Sequence, residues 1–186
     1  MKIIAFTGPI GSGKTLAADY LVKHYDFVKI NFKDAIIKEI KENLPETLRL
    51  LKKQAGYKYI NELFLKKPYH PIVRTILQNY GTDVRRKDDV NYWVKKWWAT
   101  AKEQDKVVVD DVRFMNEFNF IQRCKGDIYR MIRNKSDNSK HISETEQKNI
   151  KDDYMIDNNS TKKDLYKILD KNLCLQNHQN QFQKKV

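Results

Sequence analysis

The stretch that decides the fold is GPIGSGKT, residues 8–15, which fits the pattern G-x-x-x-x-G-K-[ST]. It follows the apolar run KIIAF (2–6) and opens the helical pattern KTLAADYLVKH (14–24), the strand–loop–helix context that the motif requires. Glycines let backbone N–H groups turn inward around phosphates, and the helix N-terminus adds positive potential. Lys14 would reach the terminal phosphates, and Thr15 would offer a hydroxyl to Mg²⁺. The motif therefore predicts a nucleoside triphosphate ligand.

Strands and helices alternate along the rest of the chain. Five short apolar runs predict β-strands at 2–6, 27–30, 106–110, 127–132 and 153–157. Helical patterns lie between them at 14–24, 33–44, 70–80, 89–104 and 160–172. This alternation predicts an α/β fold with a parallel sheet that is covered on both faces.

The predicted second and third strands are separated by about 75 residues, far more than the dozen or so of an ordinary crossover. Because that segment is mostly helical in pattern, we expect it to be an insertion over the carboxyl edge of the sheet. The length of 186 residues fits one domain. Its predicted parts are a core (1–32 and 104–172), a helical insertion (about 33–103), a polar lid (about 134–150) and a frayed tail (173–186).

Composition places the chain among globular proteins, since 40% of its residues are hydrophobic and it contains only 6 Gly and 4 Pro. No apolar run approaches the roughly 18 residues of a membrane span, and the N-terminus lacks the apolar region of a signal peptide. We therefore expect a cytoplasmic protein without membrane partners. Cys124 and Cys174 lack metal-ligand spacing and are interpreted as reduced thiols.

The net charge of +12 is compatible with nucleic acid, a membrane surface or small polyanionic substrates. Its distribution is more informative than its size. The chain has 28 Lys and 8 Arg, and the segment 74–133 contains 7 of the Arg but only 6 of the Lys. Because arginine holds phosphate bidentately, this concentration indicates phosphate recognition in the middle third of the chain.

The third predicted strand ends in two aspartates, Asp110 and Asp111, followed by Arg113 and Glu117. A strand that ends in acid beside a phosphate-binding loop is the usual source of the carboxylate that holds Mg²⁺. Successive strand side chains point to opposite faces, so the two aspartates should not serve one ion in the same way. One of them could instead cap the helix that follows. Arg113 and Glu117 could form a simple helical ion pair, or could contact a ligand at the carboxyl end of the sheet.

The segment 74–98 combines basic and aromatic residues, which suit the phosphate and the base of a nucleotide: Arg74, Arg85, Arg86, Tyr92, Trp93, Trp97 and Trp98. Trp93 and Trp97 are four apart on a predicted helix, so we expect at least one of them in the core. Trp98 lies on a different face and could stack on a base.

Two further patterns carry less weight. NKSD (134–137) matches the guanine-reading motif of GTPases, but Arg113 and Phe114 occupy the positions where a GTPase would carry a glycine after its strand-end aspartate. His141 has no second His or Cys at zinc-ligand spacing, so we predict no zinc site.

Taken together, the motifs resemble those of the bacteriophage deoxynucleoside monophosphate kinases, a branch of the P-loop kinases related to animal-type phosphomevalonate kinases. The resemblance covers about residues 2–172. Besides GPIGSGKT it rests on NFKDAIIKEI (31–40), LQNYGTDVRR (77–86) followed by DVNYWV, DDVRFMNE (110–117), HISE (141–144) and DDYMIDNNS (152–160). It implies a three-layer, adenylate-kinase-like fold with a five-stranded parallel sheet, a helical insertion that binds the nucleoside monophosphate (NMP) and a short lid. It also implies transfer of the ATP γ-phosphoryl group to a deoxynucleoside monophosphate (dNMP), giving the diphosphate (dNDP) and ADP.

The resemblance also implies roles for individual residues. ATP would be bound by Gly11, Ser12, Gly13, Lys14, Thr15 and Arg133. The dNMP would be bound by Arg85, Arg86, Trp98, Asp111, Arg113 and Glu117. Within these sets the expected catalytic residues are Lys14, Arg86, Arg113 and Asp111, and Mg²⁺ would be held by Thr15 and Asp110. Arg130, beside the lid with Arg133, could close over the transferring group or lie in the sheet.

This sequence departs from the family pattern at two positions, Thr15 in place of Asp and Ile142 in place of Pro. Two alternative functions stay open: a P-loop kinase with a different phosphorylated acceptor, such as phosphomevalonate or dephospho-coenzyme A, and a nucleic-acid-associated ATPase. The expected partners are the small molecules ATP and dNMP, without stable nucleic-acid binding, and a homodimer is left open.

Overall fold

The computed structural model describes residues 1–65, 69–134 and 153–183; its side chains are described as far as residue 172, except that of Asp83. Two compact units make up the chain. Unit 1 comprises Met1–Lys29 and Gln104–Val186, and unit 2 comprises Ile30–Glu103. The division lies within a few residues of the one predicted between the core and the helical insertion.

Unit 1 contains a five-stranded sheet in the order β2-β3-β1-β4-β5. Its strands are β1 (Lys2–Thr7), β2 (Val28–Lys29), β3 (Lys106–Val109), β4 (Asp127–Ile132) and β5 (Tyr154–Asp157). All four neighbouring pairs are parallel. The predicted α/β fold with a five-stranded parallel sheet is therefore confirmed.

The described helices, in chain order, are α1 (Lys14–Tyr25), α2 (Phe32–Asn43), α3 (Pro45–Gln54), α4 (Glu62–Leu65), α5 (Pro71–Asn79), α6 (Tyr92–Ala101), α7 (Met115–Arg123) and α8 (Lys162–Gln183). A π-helical turn, Tyr80–Val84, directly follows α5. Our sequence patterns did not include α3 or α4. Pro45 occupies the first turn of α3, where its missing N–H costs no hydrogen bond. A proline at this position favours the start of a helix, whereas a proline in the helix interior would break it.

The core of unit 1 lies on both faces of the sheet. Ile4 and Phe6 of β1 belong to a buried cluster with residues of α1 and α8. Ile3 points to the opposite face by the alternation of strand side chains, and a Cβ on Gly126 would contact both Ile3 and Ile121 of α7. Side chains on both faces therefore bury β1, which explains why KIIAF is continuously apolar.

The strand order defines where a ligand should bind. The chain leaves β1 through α1 towards β2, and leaves β3 through α7 in the opposite direction along the sheet, towards β4. The connections that leave the neighbouring strands β1 and β3 therefore run in opposite directions along the sheet, and open α/β sheets bind ligands beyond the carboxyl ends of the strands at such a point. GPIGSGKT follows β1, and DDVR follows β3.

Unit 2 is helical. One buried cluster joins side chains of α2, α3, α4 and α5, namely Ile40, Leu48, Leu51, Leu63, Phe64 and Val73. Trp93 and Trp97 of α6 are also buried, which confirms that at least one of these tryptophans is a core residue. The Trp97 indole Nε1 donates a hydrogen bond to the carbonyl of Ile30 at 2.9 Å, so its polar atom is satisfied within the unit.

Helix α8 continues to Gln183, beyond residue 173, where we expected the chain to fray. The segment 162–183 contains no glycine or proline to end a helix, and it was the polar composition of this segment that suggested a frayed terminus. Within the part of the chain that the structure describes, no helix is sufficiently long and apolar to cross a membrane.

Candidate functional site

The loop between β1 and α1 depends on two glycines with left-handed backbone. Gly8 has φ of +129° and Gly13, which precedes α1, has φ of +102°. A Cβ on Gly8 would lie 2.3 Å from the carbonyl oxygen of Met131, and one on Gly13 would lie 2.2 Å from Nδ2 of Asn158. A side chain at either position would be strained and would also clash, so the loop is a close-packed backbone cradle.

Three polar side chains of the segment 8–15 indicate which kind of ligand it could bind. Lys14 Nζ donates hydrogen bonds to the carbonyl oxygens of Gly8 and Pro9, at 2.6 and 2.7 Å. Ser12 is fully buried, and its Oγ makes no hydrogen bond to any described residue. Buried hydroxyls normally have a partner, so this atom fits a loop that gains one when it is filled. Thr15 is half-buried in the first turn of α1, where backbone N–H groups attract anions.

Asn158, a residue that our sequence reasoning did not single out, supports this loop from the end of β5. Its Nδ2 donates to the carbonyl oxygen of Ser12 at 2.8 Å, and its backbone N–H donates to the carbonyl of Ile132 at 2.9 Å. Asn158 is only 5% exposed. The sequence did contain a signal for Asn158. It directly follows a predicted strand, within DDYMIDNNS, one of the segments on which the family resemblance rests.

The acidic segment after β3 lies beside the end of β1. The register pairs Ala5 with Val109, and the Thr7 hydroxyl donates to the carbonyl of Val112 at 3.1 Å. Asp110 is 3% exposed, whereas Asp111 is half-buried. The two aspartates thus occupy different environments, and the expectation that they do not serve one ion alike stays a prediction.

Glu117 caps helix α7. Its Oε2 accepts hydrogen bonds from the backbone N–H groups of Arg113 and Phe114, at 2.9 and 3.2 Å, and its side chain is buried. The Glu117 carboxylate thus reaches back to the two residues that precede α7 and fixes the backbone that contains Arg113, whose side chain is half-buried. Glu117 therefore contacts the backbone of Arg113, which neither of our two interpretations of this pair included. The roles of both residues in binding a nucleotide stay predictions.

In unit 2, Arg85 is paired with Glu39 of α2. Arg85 Nε donates to Glu39 Oε1 at 2.5 Å, and the Tyr92 hydroxyl donates to Glu39 Oε2 at 2.7 Å. Burial alone would raise the pKa of Glu39, but the hydrogen bonds from Tyr92 and Arg85 outweigh it and hold that pKa below its usual value. Our site prediction did not include Glu39, although an acidic residue between the apolar positions Ile36 and Ile40 of NFKDAIIKEI was a signal for it.

Two further residues of unit 2, Arg86 and Trp98, were predicted to bind the dNMP. Arg86 Nε donates to the carbonyl of Gly81 at 2.7 Å, so backbone of the π-helical turn helps to hold this side chain. Trp98 is half-buried, and its ring centroid is 6.4 Å from that of Trp97. The roles of Arg86 and Trp98 in binding a nucleotide stay predictions.

Of the arginines near the predicted lid, Arg130 lies within β4, paired with Thr7 of β1, and Arg133 follows the strand and is exposed. A position in the sheet was one of the two alternatives for Arg130. The predicted lid beyond Asn134, with His141 and HISE (141–144), lies outside the described residues.

A magnesium ion fits the donor set around the loop. No group of three or more His, Cys, Asp or Glu side chains within the described ranges could form a metal site. Mg²⁺ does not need such a group when phosphates are present, because it binds through one or two carboxylates, substrate phosphates and water. The Thr15 hydroxyl and the Asp110 carboxylate are oxygen donors of the kind that it prefers.

Comparison with known proteins gives concordant results. The profile of the family described as "Deoxynucleotide monophosphate kinase" matches residues 50–169. A protein of Acanthamoeba polyphaga mimivirus named "Putative deoxynucleotide monophosphate kinase" is 30% identical over 184 residues, which cover 89% of this chain and 93% of that protein.

Solved structures show likeness in fold. A dephospho-CoA kinase from Campylobacter jejuni has a TM-score of 0.50 at 16% identity, covering 92% of this chain and 96% of that one. A shikimate kinase from Aquifex aeolicus has a TM-score of 0.45 at 15% identity, covering 98% and 99%. At 16% identity, the likeness to the dephospho-CoA kinase supports only the fold of this chain.

Proposed function

Because the chain belongs to the deoxynucleotide monophosphate kinase family and is a kinase, we propose that it transfers the ATP γ-phosphoryl group to a dNMP through the residues described above. The main observation behind the proposal is the geometry of the loop 8–15. Gly8 and Gly13 are closely packed against neighbouring residues, and Lys14 donates a hydrogen bond back to the loop carbonyl of Gly8. In this assignment Gly11, Ser12 and Gly13 present backbone N–H groups to the ATP phosphates.

Lys14 would neutralise charge on the terminal phosphates. In the structure its ammonium group donates to two loop carbonyls, so binding ATP would exchange these carbonyl oxygens for phosphate oxygens. Thr15 and Asp110 would hold Mg²⁺, which supplies further charge neutralisation when it is bound. Arg133 would add positive charge on the ATP side. Phosphoryl transfer requires little covalent chemistry from a protein, so positioning and charge are the functions these residues must serve.

The acceptor dNMP would be bound by Arg85, Arg86, Trp98, Asp111, Arg113 and Glu117. The second pKa of a phosphate monoester is near 6, so the acceptor is mostly a dianion at neutral pH. It therefore needs no general base, and arginines suit its recognition because they hold phosphate bidentately. The Glu117 cap supports this role for Arg113 by holding the Arg113 backbone just before α7.

A substrate panel tests the proposed reaction. With ATP and Mg²⁺, at least one of the deoxynucleoside monophosphates is expected to stimulate ADP formation well above the rate without acceptor. Removal of Mg²⁺ with EDTA is expected to abolish that stimulation, because the phosphate charge is then not neutralised. The measurement is a coupled ADP-release assay across all deoxy- and ribonucleoside monophosphates.

The same assay includes acceptors and effectors from the alternative functions. If dephospho-coenzyme A or phosphomevalonate stimulates turnover and none of the dNMPs does, the acceptor is assigned wrongly. If DNA stimulates ATP hydrolysis with a steep dependence on salt, the nucleic-acid-associated ATPase is favoured instead.

Asn158→Ala is expected to raise the KM for ATP about tenfold and to leave the KM for dNMP nearly unchanged. The substitution removes the donor to the buried Ser12 carbonyl, and a buried group left unsatisfied costs about 1–3 kcal/mol. Initial-rate kinetics with each substrate varied in turn measure both constants. Asn159→Ala is the matched control, because Asn159 is exposed and its side-chain bonds do not involve the loop 8–15. Equal effects of the two variants would contradict this role for Asn158.

A further inference from the structure

We propose that Glu39 and Tyr92 are positioning residues for the acceptor phosphate, acting through Arg85. This inference rests on the proposed function, because it takes Arg85 as a ligand of the dNMP. It assigns a role to Glu39, which the sequence motifs did not mark as functional, and a specific role to Tyr92, which the sequence had placed only among aromatic residues suited to a nucleotide. It also explains why a carboxylate is buried beside an arginine expected to bind an anion.

The first observation is how the Glu39 carboxylate is shared. Each of its oxygens accepts one hydrogen bond, Oε1 from Arg85 Nε and Oε2 from the Tyr92 hydroxyl. Arginine often binds a carboxylate through two parallel N–H groups, with one oxygen for each. Here Tyr92 already donates to the second oxygen, so the guanidinium contacts Glu39 through Nε alone.

The second observation is what this contact leaves available. Among the described residues, the two terminal amino groups of Arg85, Nη1 and Nη2, make no hydrogen bond. The Arg85 side chain is 39% exposed, whereas that of Glu39 is 11% exposed. The guanidinium is thus paired with a largely buried carboxylate of α2 while much of the Arg85 side chain is exposed, and its two terminal amino groups retain donors that suit two phosphate oxygens.

The third observation is that the guanidinium is held in more than one way. Its carbon lies 5.4 Å from the ring centroid of Tyr92, which fits a cation–π contact. Lys96 Nζ also lies 5.5 Å from the centroid of that ring. Two cations, Arg85 and Lys96, therefore lie against the ring whose hydroxyl is bonded to Glu39. The Tyr92 ring and the Glu39 carboxylate together restrict the positions that the guanidinium can adopt.

A purely structural ion pair is the competing interpretation, and a double-mutant cycle separates the two. Glu39→Gln removes the charge and weakens the hold on Arg85 Nε, and is expected to raise the KM for dNMP about tenfold, with the KM for ATP unchanged. Arg85→Ala is expected to raise it at least as much. In the double variant, Glu39→Gln should add almost nothing, because its effect passes through Arg85.

Two further variants keep the test decisive. Tyr92→Phe preserves the ring and removes only the hydroxyl, so it is expected to raise the KM for dNMP less than Glu39→Gln while the variant folds normally. Glu46→Gln is the matched control, because it breaks an exposed glutamate–arginine pair in the same unit, with Arg49, and should change neither KM.

The outcomes distinguish this inference from the proposed function. If the wild-type protein shows no dNMP-dependent turnover, the proposed function itself is wrong. If the wild type is active and the effects of Glu39→Gln and Arg85→Ala on the KM for dNMP simply multiply, Glu39 does not act through Arg85 and the inference is wrong. If Glu39→Gln changes the KM for ATP equally, the pair is structural and the inference is also wrong.

Discussion

Lys14→Met is expected to lower kcat for phosphoryl transfer by about 10²–10³-fold or more, while the protein remains folded. Removing one preorganised group that stabilises transition-state charge typically costs a factor of this size. Methionine retains most of the length of lysine, so the variant loses the charge without leaving a large gap. The structure supports a small effect on stability, because the hydrogen bonds from Lys14 to the carbonyl oxygens of Gly8 and Pro9 are only part-buried.

The measurement is single-turnover formation of dNDP at saturating ATP, with circular dichroism to verify folding. Lys23→Met is the control, since Lys23 is an exposed lysine in the last turn of the same helix, α1, and should keep wild-type kcat. If Lys14→Met retained more than about a tenth of the wild-type kcat, Lys14 would not be the main stabiliser of phosphate charge.

Gly8→Ala is expected to lower the melting temperature by about 6–12 °C and to remove measurable ATP binding. The added Cβ would lie 2.3 Å from the backbone carbonyl of Met131 in β4, and a backbone atom of a central strand cannot move aside cheaply. The φ of +129° is in addition one that a residue with a Cβ rarely adopts. A combined cost of about 3 kcal/mol corresponds to that shift in a chain of this length.

Gly56→Ala separates the clash from the backbone strain. Gly56 also has a positive φ, of +66°, but a Cβ there would have no atom within 4 Å. The cost is then that of the left-handed conformation alone, about 1–2 kcal/mol, or about 2–8 °C. Thermal unfolding followed by circular dichroism compares the two variants. If Gly56→Ala proved as damaging as Gly8→Ala, close packing of the loop against β4 would not explain the requirement for Gly8.

The strands and the phosphate-binding loop could be predicted because their signals are local. Apolar runs such as KIIAF and KVVV stand out against polar connections, and both faces of a parallel sheet are buried, so the runs are continuous. GPIGSGKT is likewise contiguous, and its glycines reflect backbone angles that only a few residues decide. The short helices α3 and α4 were missed because a helix of this length is stabilised by packing more than by its own periodicity.

The residues that support the site could not be predicted, because each contacts a residue that is far away in the sequence. Asn158 lies 146 positions from Ser12, whose carbonyl it contacts, and Glu39 lies 46 positions from Arg85. A single sequence indicates such pairs only as polar residues in apolar surroundings, without identifying their partners.

By itself, the sequence was sufficient to establish the parallel α/β class, the loop for the triphosphate and the family resemblance, because each of these rests on residues that are neighbours in the chain. Tertiary structure was needed to show that Met131 and Asn158 close around the loop 8–15, and that Tyr92 and Arg85 share the Glu39 carboxylate. The physical reason is that hydrogen bonding and close packing depend on distances between atoms, and folding alone brings residues so far apart in the chain within 3 Å of each other.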